Sequence, residues 1–221
     1  GITMPGIMCH LVFATNVLEN MNLKEILQNK QDFFAGNLIP DLTIDMKTKS
    51  KTHYYVSSEI NNWFKIPNLE QARKTLKILE DPVKLGCFCH LYLDYHFIKE
   101  FLLEEFSFNN NTGFVENIQT GAKWKIENFW DALYNGYTEV NTKLISDGII
   151  SMEFINSIPS NLPDVQGEEF YNFNNRREIT WKEELYGYLS KKLPYVGKTF
   201  NYDRLCKFVN NTAIKFLEEE I

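Results

Sequence analysis

The stretch Gly86-Cys87-Phe88-Cys89-His90-Leu91-Tyr92-Leu93-Asp94-Tyr95-His96-Phe97 is the one around which the chain is organised. His90 and Asp94 stand four residues apart, so on a helix they stack on one face, one turn from each other. Gly86 lies a turn earlier on the same stripe and leaves the helix bare there, so that another segment can approach closely. Nearly every neighbour is apolar or aromatic. An imidazole and a carboxylate in such surroundings need a partner, because burying polar or charged groups unpaired is costly. A divalent cation suits both. A single His–Asp hydrogen bond on a helix face is the plainer alternative. The remaining histidines bear on the choice: the chain has four, His10, His53, His90 and His96, and three of them sit in segments that read as parts of one site.

The 221 residues are enough for one substantial domain, 1–221, and short for two. Gly1-Ile2-Thr3 reads as a cloning remnant ahead of a start at Met4. A net charge of −6 argues against nucleic acid and anionic membrane surfaces as partners. The chain has no basic stripe, and its one Arg pair, Arg176-Arg177, falls in an Asn-rich loop. No apolar run reaches the roughly 18 residues of a membrane span. The run Ile7 to Val17 is interrupted by His10 and Asn16 and does not read as a signal peptide. Four cysteines, Cys9, Cys87, Cys89 and Cys206, are too few and too apolar in setting for a disulfide framework, which points to the cytoplasm. Cys9 and Cys89 directly precede His10 and His90. Adjacent helical positions point about 100° apart, so both read as core rather than as ligands.

Outward from the organising stretch, apolar periodicity predicts helices almost everywhere. Asp81-Pro82 supplies an N-cap and a first-turn proline for a helix over about Pro82 to Phe106. Its apolar residues (Leu85, Phe88, Leu93, Phe97, Phe101 and Leu102) cover much of its circumference and place it centrally. Before it, Asn68 caps a helix over Leu69 to Glu80. The first element carries Ile7, Leu11, Ala14, Val17, Leu18 and Met21 on one stripe, with His10 at its edge. A short helix over Leu23 to Lys30 follows. Phe33 to Asp41 reads as a rigid apolar loop, because Gly36-Asn37 favours a turn and Pro40 sets the chain direction before Asp41. Residues 42–52, with Lys47, Lys49 and Lys51, read as a solvated loop leading to His53. Asn109 to Gly113 is a loop. Trp124 to Ser146 is a long helix with Gly148 just beyond its end, and its Glu127 and Asp131 read as solvated acids. Pro159 to Asn175 is a long polar connection, a lid or a plain loop. Trp181 to Lys192 and Asp203 to Glu220 are the last helices. No run alternates well enough to predict a sheet, so the fold class is all-α, a multi-helix bundle with the candidate site between helices.

His10, Asp41, His53, His90 and Asp94 together offer three imidazoles and two carboxylates. Such a set suits Zn²⁺ and also Mn²⁺ or Fe²⁺. The chemistry expected of it is hydrolytic: a bound divalent ion lowers the pKa of its water from about 15.7 toward about 7, and a second ion about 3.5–4 Å away can steady the leaving oxygen.

The order His10, then Gly36-x-x-x-Pro40-Asp41, then His53, then Gly86-x-x-x-His90-x-x-x-Asp94 resembles the zinc-dependent phospholipase C family. Met4-Pro5-Gly6-Ile7-Met8-Cys9-His10 is similar to the start of its small bacterial cytoplasmic members. The resemblance implies a helical bundle in which Asp41, His53, His90 and Asp94 bind one metal. Asp94 would bridge to a second that His10 also binds, and Asp41 would serve as general base beside the water. This chain departs from the secreted phospholipases in two ways. Nothing in it suggests a processed N-terminal residue acting as a ligand. It also has no histidine after His96, so the His-x-x-x-Glu pair that holds their third zinc is missing. His96 lies about 200° round the helix from Asp94 and falls outside the cluster. One or two metals are expected, and cleavage of a phosphate ester or diester, with a small-molecule or lipid-like substrate. The alternatives are a metal-binding scaffold without hydrolysis and a hydrolase of carboxylic esters or amides. A His-Asp superfamily phosphohydrolase ranks lower, because no His-Asp dipeptide occurs in the chain.

Overall fold

A computed structural model describes residues 5–43, 45–57, 64–77, 79, 81–175, 181–191 and 193–221. Met4, Glu80, Lys192 and the Arg176-Arg177 pair lie outside these residues. In chain order the elements are α1 (Ile7–Glu19), α2 (Lys24–Gln28), α3 (Lys30–Leu38), a 3₁₀ turn (Ile39–Asp41), α4 (Met46–Thr52), β1 (Tyr55–Ser57), β2 (Lys65–Pro67) and α5 (Leu69–Leu76). The central helix α6 (Pro82–His96) continues through a π turn (Phe97–Phe101) into α7 (Leu102–Glu105). Then come β3 (Phe106–Asn109), β4 (Phe114–Asn117), β5 (Lys123–Lys125), α8 (Ile126–Ser146), α9 (Met152–Ser157), a 3₁₀ turn (Glu168–Phe170), α10 (Tyr171–Asn174), α11 (Trp181–Ser190) and α12 (Tyr202–Glu220).

The fold is all-α, and among the described residues it carries two small antiparallel sheets that the periodicity did not predict. One pairs β1 with β2, Val56 opposite Ile66. The other is a meander β3-β4-β5, with Phe106 opposite Asn117 and Val115 opposite Trp124. Strands of three or four residues are too short to display an alternating pattern. The expected loop over Asn109 to Gly113 is the turn of this meander. Trp124 belongs to β5, so the long helix begins at Ile126 rather than Trp124.

Local chemistry starts the helices where expected. Asp81 Oδ1 accepts hydrogen bonds from the Val83 and Lys84 amides at 2.7 and 3.3 Å, and Pro82 opens the first turn of α6. Asn68 caps α5 through the Gln71 amide. Gly148, just past α8, takes a left-handed φ of +72°. Helix α6 is buried on nearly every side from Val83 to His96, and it packs against α1, α3, α5 and α12. On its α12 side, Phe216 meets Phe88 and Tyr92 at 6.2 and 5.0 Å between ring centres.

Two segments differ from the sequence expectation, and both matter for the site. Phe33 to Asp41 is not a loop: α3 runs to Leu38 and a 3₁₀ turn carries the chain to Asp41. Gly36 is helical because it faces Gly86 across the α3–α6 crossing. A Cβ on Gly36 would stand 2.1 Å from the Val83 carbonyl oxygen, and one on Gly86 would stand 2.3 Å from the Phe33 carbonyl oxygen. Close packing of the two backbones outweighs the ordinary cost of glycine in a helix. The bare stripe at Gly86 is thus filled by another segment, as its spacing implied. Residues 42–52 are also not a solvated loop. Asp45 caps α4 through the Thr48 amide at 2.7 Å, and Thr48, Lys49 and Thr52 of that helix are buried.

Candidate metal centre

The α3–α6 crossing brings five side chains together. His10 comes from α1, Asp41 from the 3₁₀ turn after α3, His53 from the C-cap of α4, and His90 and Asp94 from α6. None of the five side chains is more than 3 % exposed. His90 Nδ1 donates to the Asn37 carbonyl at 2.7 Å, a contact that the glycine crossing makes possible. His53 Nδ1 donates to the Lys49 carbonyl one turn back, at 2.9 Å. Thr52 Oγ1 donates to the Pro40 carbonyl at 2.9 Å and ties α4 to the turn that carries Asp41. Both imidazoles therefore carry a proton on Nδ1 and turn Nε2 inward, the second-sphere arrangement typical of metal-ligating histidines.

The inward atoms have a definite spacing. His53 Nε2 lies 3.2 Å from Asp41 Oδ1, 3.4 Å from Asp94 Oδ2 and 3.3 Å from His90 Nε2. His90 Nε2 lies 3.5 Å from Asp41 Oδ1 and 3.4 Å from Asp94 Oδ2. These are five of the six edges of a tetrahedron. Donors bonded at about 2.0–2.1 Å to a tetrahedral zinc ion lie about 3.3–3.4 Å from one another. On the far side of Asp94, His10 Nε2 stands 2.9 Å from Oδ1 but without hydrogen-bond alignment. The His10 ring stacks on His90 at 3.7 Å, with 5° between the planes.

Charge and desolvation give the same reading. Burial pushes the Asp94 carboxyl up, but His90 and His10 pull it below the usual carboxylate range. Burial likewise opposes ionisation of Asp41, whose carboxyl is nevertheless held well below the usual range by Lys49 and then His90. Burial disfavours the His90 imidazolium, yet Asp41 and Asp94 push it up to about 10. Burial and the neighbouring His90 bring His10 down. The two buried carboxylates thus demand positive charge, which His90 supplies by keeping its proton when no cation is bound. Both Asp41 oxygens, Asp94 Oδ1 and both His10 nitrogens are buried with no hydrogen-bond partner. Such orphaned atoms are rare in folded proteins, and a divalent ion would partner Asp41 Oδ1 among them. The residues present fit the group.

The other sequence readings can be placed as well. His96 sits outside the cluster, its Nδ1 2.9 Å from Glu100 Oε1. Glu127 and Asp131 are exposed. Cys9 and Cys89 are buried free thiols. Burial first, with Cys206 adding, pushes Cys9 up to about 12, and burial raises Cys89. What the sequence reading missed is Lys49. Its Nζ lies 3.4 Å from Asp41 Oδ1, and its side chain is 6 % exposed. It was assigned to solvent with Lys47 and Lys51. The signal that could have found it is Asp45 followed by Thr48, an N-cap spacing, which makes 46–52 a helix and places Lys49 one turn from His53. The phenol ring of Tyr55, stacked on His53 at 4.9 Å between centres, was also missed.

Fold and site together define a helical protein with a candidate His/Asp metal centre in its core. Residues 9–114 match the family model described as zinc dependent phospholipase C, a stretch that includes all five clustered residues. No curated protein and no solved structure matches the chain.

Proposed function

We propose that this chain is a zinc-dependent hydrolase of phosphate esters or diesters, with a lipid-like substrate, working as one domain over residues 1–221 in the cytoplasm. The observation that carries the reading is the near-tetrahedral set of four buried His and Asp donor atoms lying inside the family-matched segment. Asp41 Oδ1, His53 Nε2, His90 Nε2 and Asp94 Oδ2 would hold one ion, and His10 with Asp94 Oδ1 offers a partial second place. Mn²⁺ or Fe²⁺ fits the same donors. A bound divalent ion supplies Lewis acidity, lowering the pKa of water from about 15.7 toward about 7. Asp41 Oδ2, with no hydrogen-bond partner, would be the general base that accepts the proton of the attacking water. The Asn37 and Lys49 carbonyls hold the His90 and His53 rings in place. Cytoplasmic placement rests on the four free cysteines, three of them buried.

The test is metal content per chain on protein purified without chelator or affinity nickel, beside hydrolysis of an aryl phosphodiester and of a short-chain phospholipid. Asp94→Asn and His90→Ala are expected to lose both the metal and the hydrolysis. If both variants keep both, the reading fails. A second reading, a metal-loaded scaffold without hydrolysis, is favoured by one feature: four protein donors close a tetrahedron, as structural sites do, and leave no open position unless coordination expands. Metal-loaded protein that is inert toward phosphoester, carboxylic ester and amide panels would decide for it, and turnover of the latter two alone would reassign the substrate class.

A further inference from the structure

Lys49 has no part in the donor set, yet it is built into the centre. Helix α4 is capped by Asp45, and its next turn directs Lys49 inward rather than toward water. The Lys49 carbonyl fixes the tautomer of His53, and the Lys49 ammonium sits 3.4 Å from Asp41 Oδ1. One residue thus touches two of the proposed ligands. Lysine is rarely buried to this degree unless paired, and here the pairing partner is a carboxylate that must also face a cation.

The donor inventory limits how many cations the centre can take. Among the described residues the two possible metal triads, His10–His90–Asp94 and Asp41–His53–His90, share His90. That ring has only Nε2 to offer, because Nδ1 is engaged by Asn37. One ion therefore uses His53, His90, Asp41 and Asp94, and among the described residues a second would be left with His10 and Asp94 Oδ1. Two carboxylates carry a charge of about −2, and Lys49 already balances about half of it. A single divalent ion brings the buried site to about +1, whereas two would leave about +3 in a low-dielectric core, where like charges repel strongly.

We propose that Lys49 is the resident counter-cation of this centre. It balances the buried carboxylates before a divalent ion arrives, holds Asp41 in place for that ion, and keeps the complement to one ion per chain. This rests on the metal reading above. It makes Lys49 a positioning and affinity-setting residue, and it implies a lower metal affinity than the same donors would give without it.

The test compares the wild-type chain with Lys49→Met, which keeps the stem and removes the charge, and with Lys49→Arg. Zn²⁺ equivalents and dissociation constants are measured at pH 7 with a competing chelator, and thermal melting is recorded with and without metal. The wild type is expected to bind one tight equivalent. Lys49→Met is expected to melt lower than wild type when metal-free but to bind Zn²⁺ at least about tenfold tighter, since a unit charge a few ångströms from a divalent ion is worth that much or more. Lys49→Arg is expected to retain wild-type stoichiometry and affinity. A purely structural lysine would lower both melting points together and leave affinity unchanged, and that result overturns the proposal, as does weaker binding by Lys49→Met. Two tight equivalents in the wild type overturn it with no variant needed. If Lys49→Met does not fold, the wild-type stoichiometry and the affinity of Lys49→Arg decide. A folded wild type that takes up no Zn²⁺ overturns the metal reading and this proposal together, whereas one tight equivalent with Lys49→Met unchanged overturns only this proposal.

Discussion

Replacing Gly86 by alanine tests the contact on which the centre depends. On an open helix face this change stabilises, because alanine is the better helix former by about 1 kcal/mol. In α6 the new Cβ would stand 2.3 Å from the Phe33 carbonyl oxygen and 2.9 Å from Gly36 Cα. Ordinary contact needs about 3.5 Å. Both neighbours are backbone atoms, so no side chain can swing aside, and α3 and α6 must part by about 1 Å. A gap of that size forfeits about a quarter to a half of the dispersion energy across the crossing. Overpacking a core in this way costs about 1–3 kcal/mol, occasionally more. With the propensity gain subtracted from the upper end, the net loss is about 2 kcal/mol, or about 4–8 °C in Tm for a chain of this length. The same displacement stretches the 2.7 Å bond from His90 Nδ1 to Asn37, and losing such a second-sphere bond lowers metal affinity by about 10–100-fold. Calorimetric melting of the chelated protein, followed by metal titration, measures both effects. A Gly86→Ala protein that melts at or above the wild-type temperature and binds metal normally would refute the tight crossing and the role assigned to it.

Other predictions follow from the electrostatics and the packing. His90 has a folded-state pKa raised from 6.5 to about 10, so in chelated protein its contribution to stability is complete below about pH 6.5 and is lost as pH rises toward 10. The metal-free melting temperature should therefore fall between about pH 7 and pH 8.5, below the range where the thiols of the unfolded chain titrate, whereas metal affinity should rise over the same interval because the ion needs a neutral Nε2. A flat metal-free profile would remove His90 as the proton holder. Arg204 pairs through Nε with Glu105, whose side chain is fully buried, while Arg204 itself is 41 % exposed. Arg204→Ala strands that carboxylate and should cost about 1–3 kcal/mol after allowance for solvent screening, read as a shift in denaturant midpoint. Tyr54 O–H donates to Glu169 at 2.9 Å and ties the 159–175 connection to the residue after His53. Tyr54→Phe should cost about 1 kcal/mol and speed proteolytic cleavage within 159–175. An unchanged cleavage rate would mean that the bond does not restrain this connection.

The elements that could be read from the sequence are those whose cause is local. Asp81-Pro82 and Asn68 start helices through hydrogen bonds to amides two or three residues away, and Gly148 ends one through its own φ. His90 and Asp94 could be paired because helical geometry alone stacks residues four apart. The bare stripe at Gly86 announced a close neighbour without saying which. The sheet of β3, β4 and β5 could not be seen, because strands so short are held by cross-strand and aromatic contacts rather than by an intrinsic pattern.

The ordered set of His10, Asp41, His53, His90 and Asp94 was selected by the sequence, through residue chemistry and family resemblance. Its convergence was decided by tertiary structure, because contacts between residues about forty to eighty positions apart leave no local trace. Gly36-Asn37 has the local chemistry of a turn, and the α3–α6 crossing made it helix, since a second backbone occupies the space a side chain would need. Lys49 has the local chemistry of a surface residue, and a cap four positions earlier together with Asp41 across the fold made it part of the centre. Local sequence determined where most of the helices start and which groups are available. The approach of α3 to α6 determined which carboxylate meets which imidazole, and the burial that results determined how much positive charge the carboxylates require.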